Sequence, residues 1–227
     1  MSDAPIATTP VRIDLDGEQV DGLFRRPPEP RALLVFAHGA GSDMRHAFME
    51  AMSEALAGVG LATLRYQFPF AQRGSRRPDP RPVLLETVRA AVLHGRRLAP
   101  ELPLLAGGKS MGGRMTSLAE AEEQTSRVRG IVFFGFPLHP AGRPGIARAE
   151  HLLLIDPPML FLQGGRDRLA ETPLVDEVMA GLGRGATLHR VPAADHGFHV
   201  PKSSGRTDQD VIEELARTVA TWAAPLL

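Results

Sequence analysis

Gly108-Lys109-Ser110-Met111-Gly112-Gly113 sets a serine between glycines two residues away on either side. Gly-x-Ser-x-Gly is the spacing of a nucleophile carried on a sharp strand-to-helix turn, because side chains at the two glycine positions would collide with the neighbouring strand and helix. The apolar run Leu104-Leu105-Ala106 ahead of it and a helical pattern behind it supply that context. A helix beginning at Met111 brings free N–H groups, and the positive end of its dipole, toward negative charge developing beside the serine. Ser110 is therefore the candidate nucleophile.

The same residues imitate the end of a phosphate-binding loop, Gly-x-x-x-x-Gly-Lys-Ser/Thr. That loop needs glycine at position 103, where Pro103 stands, and Leu104 and Leu105 put bulky groups where backbone amides would wrap phosphate. Residues 152–156 supply an apolar run ending in aspartate, as a nucleotide-bound metal site would, but the partner loop is broken.

An earlier apolar run ends in His38-Gly39-Ala40-Gly41. Its position and glycine content suit a loop that supplies one oxyanion donor, so the Ala40 N–H is expected to act with the Met111 N–H directly after the nucleophile. Each such donor is worth about 3 kcal/mol in a transition state. His38 is read as holding this loop through ring hydrogen bonds; a plain glycine turn is the alternative.

Beyond the serine, the apolar run 159–163 leads into Gly164-Gly165-Arg166-Asp167, and the last such run leads into Asp195-His196-Gly197-Phe198. The order serine, acid, histidine matches a Ser-His-Asp relay in which His196 is the base and Asp167 its orienter. Imidazole suits the task because it ordinarily titrates near neutrality. Asp195 adjoins the base but is expected to point away from it, Glu171 is a weaker acid candidate, and His199 is a reserve base. The other histidines are read as surface or packing residues. His-Glu-x-x-His and His-x-x-Glu-His spacings are absent, and no metal or other cofactor is called for.

Short β-rich apolar runs alternate with longer helical patterns, which predicts an α/β fold: a mostly parallel central sheet flanked by helices. Strands are expected at 11–15 and 20–25, paired antiparallel across Asp16-Gly17, then at 32–37, 62–66, 103–106, 130–134, 159–163 and 187–191. Helices are expected at 44–59, 82–98, 111–123, 173–182 and 208–223, with Pro82 and Pro173 in first turns. Residues 67–81 and 138–150, rich in Pro, Gly and Arg, read as loops. With no repeat and no insertion long enough for a large lid, the 227 residues are read as one domain with an open site.

Apolar residues make up 43% and charged residues 23%, near the globular average, which argues against disorder or a fibrous chain. Basic and acidic side chains balance at 26 each, so no overall field attracts nucleic acid or an anionic membrane. The absence of cysteine removes disulfides, thiolate catalysis and cysteine-bound metals. Residues 1–10 lack the cationic start and long apolar stretch of a secretory signal, and no apolar run approaches the roughly 18 to 20 residues needed to span a bilayer. A cytoplasmic location is expected; oligomeric state is left open.

With these motifs in that order, the chain resembles the α/β-hydrolase superfamily over essentially its whole length. Phe136-Pro137-Leu138-His139-Pro140, Gly142-Arg143-Pro144 and Glu150-His151-Leu152 are similar to a small lidless group of hydrolases described as dienelactone-hydrolase-like and related to a eukaryotic subunit of a histone-acetyltransferase complex. The resemblance implies the fold and the assignment of Ser110, Asp167 and His196. Dienelactone hydrolases proper use cysteine where Ser110 stands here. The expected partner is a small-molecule ester, with a catalytically silent scaffold as the alternative. Arg45, Arg73, Arg76, Arg77 and Arg81 are read as a solvated rim, and Phe68, Phe70, Phe136, Leu138 and Phe198 as core near the catalytic edge.

Overall fold

A computed structural model describes residues 6–123 and 128–227. Residues 1–5, on which part of the leader-sequence expectation falls, lie outside them. Eight strands form one sheet: β1 (Thr8–Asp14), β2 (Gln19–Arg25), β3 (Ala32–Ala37), β4 (Leu61–Tyr66), β5 (Leu104–Lys109), β6 (Gly130–Phe134), β7 (Met159–Gly164) and β8 (Ala186–Val191). Their order across the sheet is β1-β2-β4-β3-β5-β6-β7-β8. β1 pairs antiparallel with β2, and β2 with β4; every later pairing is parallel.

Every residue of β3, β4, β6 and β7 is buried. Such strands are largely apolar because helices cover both faces, with Thr63, Arg65 and Gln163 as buried polar exceptions. On one face lie α3 (Arg81–Leu98), α4 (Met111–Glu122) and α5 (Thr172–Leu182), which contribute Leu84, Val88, Met115 and Val175 to the core. The other face carries α1 (Ala47–Gly58) and α6 (Asp208–Ala223), which contribute Met49, Met52, Leu56, Leu215 and Val219. A reciprocal cap opens α6: Thr207 Oγ1 accepts from the Asp210 N–H at 3.1 Å, and Asp210 accepts from the Thr207 N–H at 2.8 Å.

Strand order reverses at β3, which has β4 on one side and β5 on the other. The loops after β3 and β5 leave in opposite lateral directions and open a crevice at the carboxyl edge, where open α/β sheets bind ligands. Those loops carry Ala40 and Ser110.

Elements differ from the sequence expectation mainly at their ends. β5 runs on to Lys109, not Ala106, because Gly107 and Gly108 pair with β3 and β6 despite their weak strand preference. α1 begins at Ala47, with the His46 ring accepting from the Phe48 N–H. The loop 67–81 contains a short helix, α2 (Pro69–Gln72), and a 3₁₀ helix at Ala147–Leu154 overlaps the expected loop 138–150.

Gly107 lies so close to β6 that a Cβ there would sit 2.1 Å from the Val132 carbonyl oxygen. Gly107→Ala is expected to destabilise the protein by about 3 kcal/mol, because strand backbone cannot yield locally. Gly58→Ala, at the end of α1 with nothing within 4 Å of the added methyl, is expected to gain a few tenths of a kcal/mol. Urea denaturation of the two variants checks this; equal effects would sink it.

Candidate active site

Ser110 occupies the N-cap of α4 with φ 52° and ψ −116°, a conformation that bulky residues avoid. An N-cap serine ordinarily turns its hydroxyl onto its own helix's free N–H groups. Here the side chain makes no cap bond. Its Oγ lies 2.8 Å from His196 Nε2 instead. The turn exists only because the backbone is bare on either side of it. A Cβ on Gly108 would meet the Ala37 carbonyl oxygen at 2.6 Å, and one on Gly112 the His38 carbonyl oxygen at 2.5 Å.

His196 stands on the loop after β8, a quarter exposed, and its Nδ1 lies 2.7 Å from Asp167 Oδ2. A carboxylate only accepts, so Nδ1 carries the proton and Nε2 is left to accept from the serine hydroxyl. Asp167 is buried at the end of β7, where Gln163 Nε2 donates to Oδ2 at 2.6 Å and the Leu169 N–H donates to Oδ1 at 2.8 Å. Gln163 is itself fixed, its Oε1 accepting from the Phe136 N–H at 3.0 Å. Sequence reasoning missed Gln163. Its signal was a single amide side chain on an otherwise apolar buried strand.

Ser110, His196 and Asp167, expected together from their order, are thus within hydrogen-bond reach of one another in a line. The alternatives fall elsewhere. Asp195 Oδ1 accepts from the Gly197 and His199 N–H groups, His199 pairs with Asp208 at 2.9 Å, and Glu171 caps α5.

The loop after β3 is held from both ends. The His38 ring is buried; its Nε2 accepts from the Phe68 N–H at 3.1 Å, which leaves Nδ1–H to donate to the Gly39 carbonyl at 2.9 Å. Across a trans peptide the next N–H points the opposite way, so this bond sets the direction of the Ala40 N–H. At the far end Met44 donates to Gln67 Oε1 at 3.0 Å and accepts from the buried Arg65, whose guanidinium also pairs with Glu50 at 2.7 Å. Met111, the first helical residue, has an N–H with no intrahelical partner.

A cleft of about 180 Å³ opens over Ser110 and His196, walled by Gly39, Ala40, His46, Phe48 and Met49. Phe68, Phe70, Phe136, Leu138 and Phe198 are buried core side chains, as expected, and the apolar wall comes from Phe48 and Met49 of α1. Arg73 is bonded to Asp79 and Arg81 to Glu122, while Arg45, Arg76 and Arg77 are exposed. Among the described residues no group of three or more His, Cys, Asp or Glu side chains has metal-binding geometry, and no helix is long and apolar enough to cross a membrane.

Residues 30–224 match the Alpha/beta hydrolase domain family. The chain belongs to this family. Among solved structures, the α/β-hydrolase chain resembles a dienelactone hydrolase from Anabaena variabilis (TM-score 0.75, 20% identity, 97% of this chain and 98% of that one). It also resembles an α/β serine hydrolase without a lid from Xanthomonas campestris (TM-score 0.72, 21% identity, 96% of each chain). A third likeness is Est1E from Butyrivibrio proteoclasticus (TM-score 0.72, 17% identity, 95% of this chain and 99% of that one). These likenesses concern the fold. A putative phosphoribosyl transferase of Mycobacterium tuberculosis is 27% identical over 226 residues, 97% of this chain. This α/β-hydrolase chain spans 47% of that relative's length, about half.

Burial pushes the His38 imidazole down from 6.5 to about 4, so it stays neutral at pH 7, and burial does the same for His151. The unfolded chain therefore binds more protons between pH 6.5 and 4, and stability falls as pH is lowered through that window. At about 1.4 kcal/mol per pKa unit, His38 alone is expected to account for roughly 3 kcal/mol of that fall. Denaturant titrations across the window should show a shallower pH dependence for His38→Asn; an unchanged slope would refute the buried neutral ring.

Proposed function

We propose that the protein is a serine hydrolase that cleaves small or medium carboxylic esters, acting as a single domain through a covalent acyl-enzyme. The observation that carries this reading is the unbroken relay from Ser110 Oγ through both nitrogens of His196 to Asp167. Ser110 attacks the ester carbonyl carbon as His196 Nε2 takes the hydroxyl proton, and Asp167 stabilises the imidazolium and holds its orientation. Negative charge moves onto the carbonyl oxygen, which the Ala40 and Met111 N–H groups receive. Collapse breaks the bond to the leaving oxygen, and His196 returns its proton so that an alcohol departs. A water molecule then repeats the sequence, its proton going to Nε2, and releases the acid and free Ser110.

Cleft size supports a short acyl group. About 180 Å³ beside an apolar wall of Phe48 and Met49 suits a short acyl chain next to Ser110. Ser110 also differs from an ordinary N-cap serine in having its hydroxyl turned off its own helix, which a purely structural turn has no reason to do.

A fluorophosphonate probe is expected to label the wild type and not Ser110→Ala. Activity on p-nitrophenyl esters should peak among acetyl to butyryl chains and fall about 10³-fold or more in Ser110→Ala. Labelling of Ser110→Ala would mean a different nucleophile. No labelling, with no turnover above that variant, would favour a binding role without catalysis.

A further inference from the structure

Lys109 is a lysine in an unusual place. It ends β5, immediately before Ser110, and its Nζ donates to the His196 carbonyl oxygen at 2.5 Å. The ammonium also lies 5.7 Å from the centre of the Phe48 ring and 5.3 Å from that of Phe198. Those two rings are stacked on each other, 5.7 Å apart and 15° from parallel. On the remaining side the backbone of Gly135 passes so close that a Cβ there would be 3.1 Å from Nζ and 3.5 Å from His196 Cε1. Ammonium, imidazole and the two rings therefore share one packed space.

The loop they grip is strained. Phe198 has φ 68°, which a bulky side chain avoids, in a turn closed by its N–H donating to the Asp195 carbonyl at 3.0 Å. Strained loops of this kind persist only where surrounding structure over-determines them. Side-chain bonds to Ser110 and Asp167 fix the imidazole ring, but neither holds the main chain of residues 195–198 against the sheet. The Lys109 bond to the His196 carbonyl does. Two successive residues thus reach the same histidine: Lys109 its backbone, Ser110 its ring.

We propose that Lys109 is a positioning residue whose ammonium, held against the faces of Phe48 and Phe198, latches the strained His196 turn to the end of β5 and keeps the imidazole in register with the Ser110 hydroxyl. This rests on the reading of Ser110 and His196 as nucleophile and base. A cation is suited to the place because ring faces attract positive charge and a charge-assisted bond to a carbonyl is stronger than a neutral one. The titratable groups around it are Asp167 from the end of β7, Asp195 and His196 from the loop after β8, and His46 at the N-cap of α1, which lines the same cleft. Burial lowers the Lys109 pKa from 10.5 to about 8, while Asp167 and Asp195 hold it up. The latch is charged below that value and loses its charge as pH rises through it.

Lys109→Met keeps a long apolar stem against the rings and removes the donor. Its kcat on p-nitrophenyl acetate is expected to fall about 100-fold, as for a displaced catalytic group, with KM changed less than about twofold. Wild-type kcat should decline above about pH 8, and this alkaline decline should be missing from Lys109→Met. Because the chain has no cysteine, Lys109→Cys introduces one thiol. Treatment with 2-bromoethylamine rebuilds a side chain of lysine's length ending in an ammonium, and propyl bromide makes its neutral counterpart; only the first should restore activity. By proton NMR, the His196 Nδ1 proton shared with Asp167 should be protected from water in the wild type and exchange-broadened in Lys109→Met. Wild-type kcat in Lys109→Met, or equal rescue by both reagents, overturns the proposal. If the wild type cleaves no ester, the NMR comparison decides alone: a His196 signal unchanged by Lys109→Met removes the latch, and its loss sustains it.

Discussion

The whole carboxyl edge of the sheet is arranged around one crowded crossing of backbones, where the turn at Ser110 passes against the end of β3. Ala37, His38, Gly108 and Gly112 approach one another so closely there that no side chain fits between them. That crowding forces Ser110 into a backbone conformation from which its hydroxyl leaves the helix it caps and faces the loop after β8. It also brings the loop after β3 against Ser110, with Gly39 packed on the Ser110 turn. The geometry at the hydroxyl is thus a property of main-chain packing, supported by parallel strands buried on both faces, and not of any single polar contact.

Around that crossing, buried polar groups are oriented in turn by other polar groups that do not face the cleft. Gln163 orients Asp167, Phe136 orients Gln163, and His38 orients the Gly39 peptide. In a low-dielectric interior such a network is favourable only when its members are satisfied, and backbone groups back each of these side chains: the Leu169 N–H on Asp167, the Phe136 N–H on Gln163 and the Gly39 carbonyl on His38. Backbone partners are the more rigid choice, since strands and helix ends hold them in place. The arrangement keeps rotatable side chains to a minimum in the layer that sets the direction of the Ser110, His196 and Asp167 side chains.

Much of this was legible in the amino-acid sequence because the alternation of buried strands with amphipathic helices is strong, and because Ser110 and Asp167 each closely follow a short apolar run of strand length. The ends were less legible. β5 was expected to stop at Ala106, since glycine and lysine are poor strand formers; pairing on both sides carries it to Lys109 regardless. The 3₁₀ helix at Ala147–Leu154 was masked by the prolines and glycines just before it. Gln163 and Lys109 were harder still, because the role of a buried polar side chain depends on what faces it across the sheet, and local spacing carries no information about that. Phe48 and Met49 fall within the expected helix 44–59 without any signal of their own; they pack on the core and also lie where α1 passes the mouth of the crevice.

Among the described residues no large lid covers that crevice, and its walls are the bare backbone loop after β3, a few α1 side chains, and Lys109 and Gly197 beside His196. A bound molecule therefore exchanges little of its surface for protein contact, and ground-state affinity built on such contact is small. On the proposed function, selectivity in a site of this shape arises while bonds are changing, from how well the fixed N–H groups and the imidazole match a passing geometry. Under the proposed ester hydrolysis, such a site sorts molecules by reactivity and by the bulk next to the carbonyl, with little regard for what trails out into solvent.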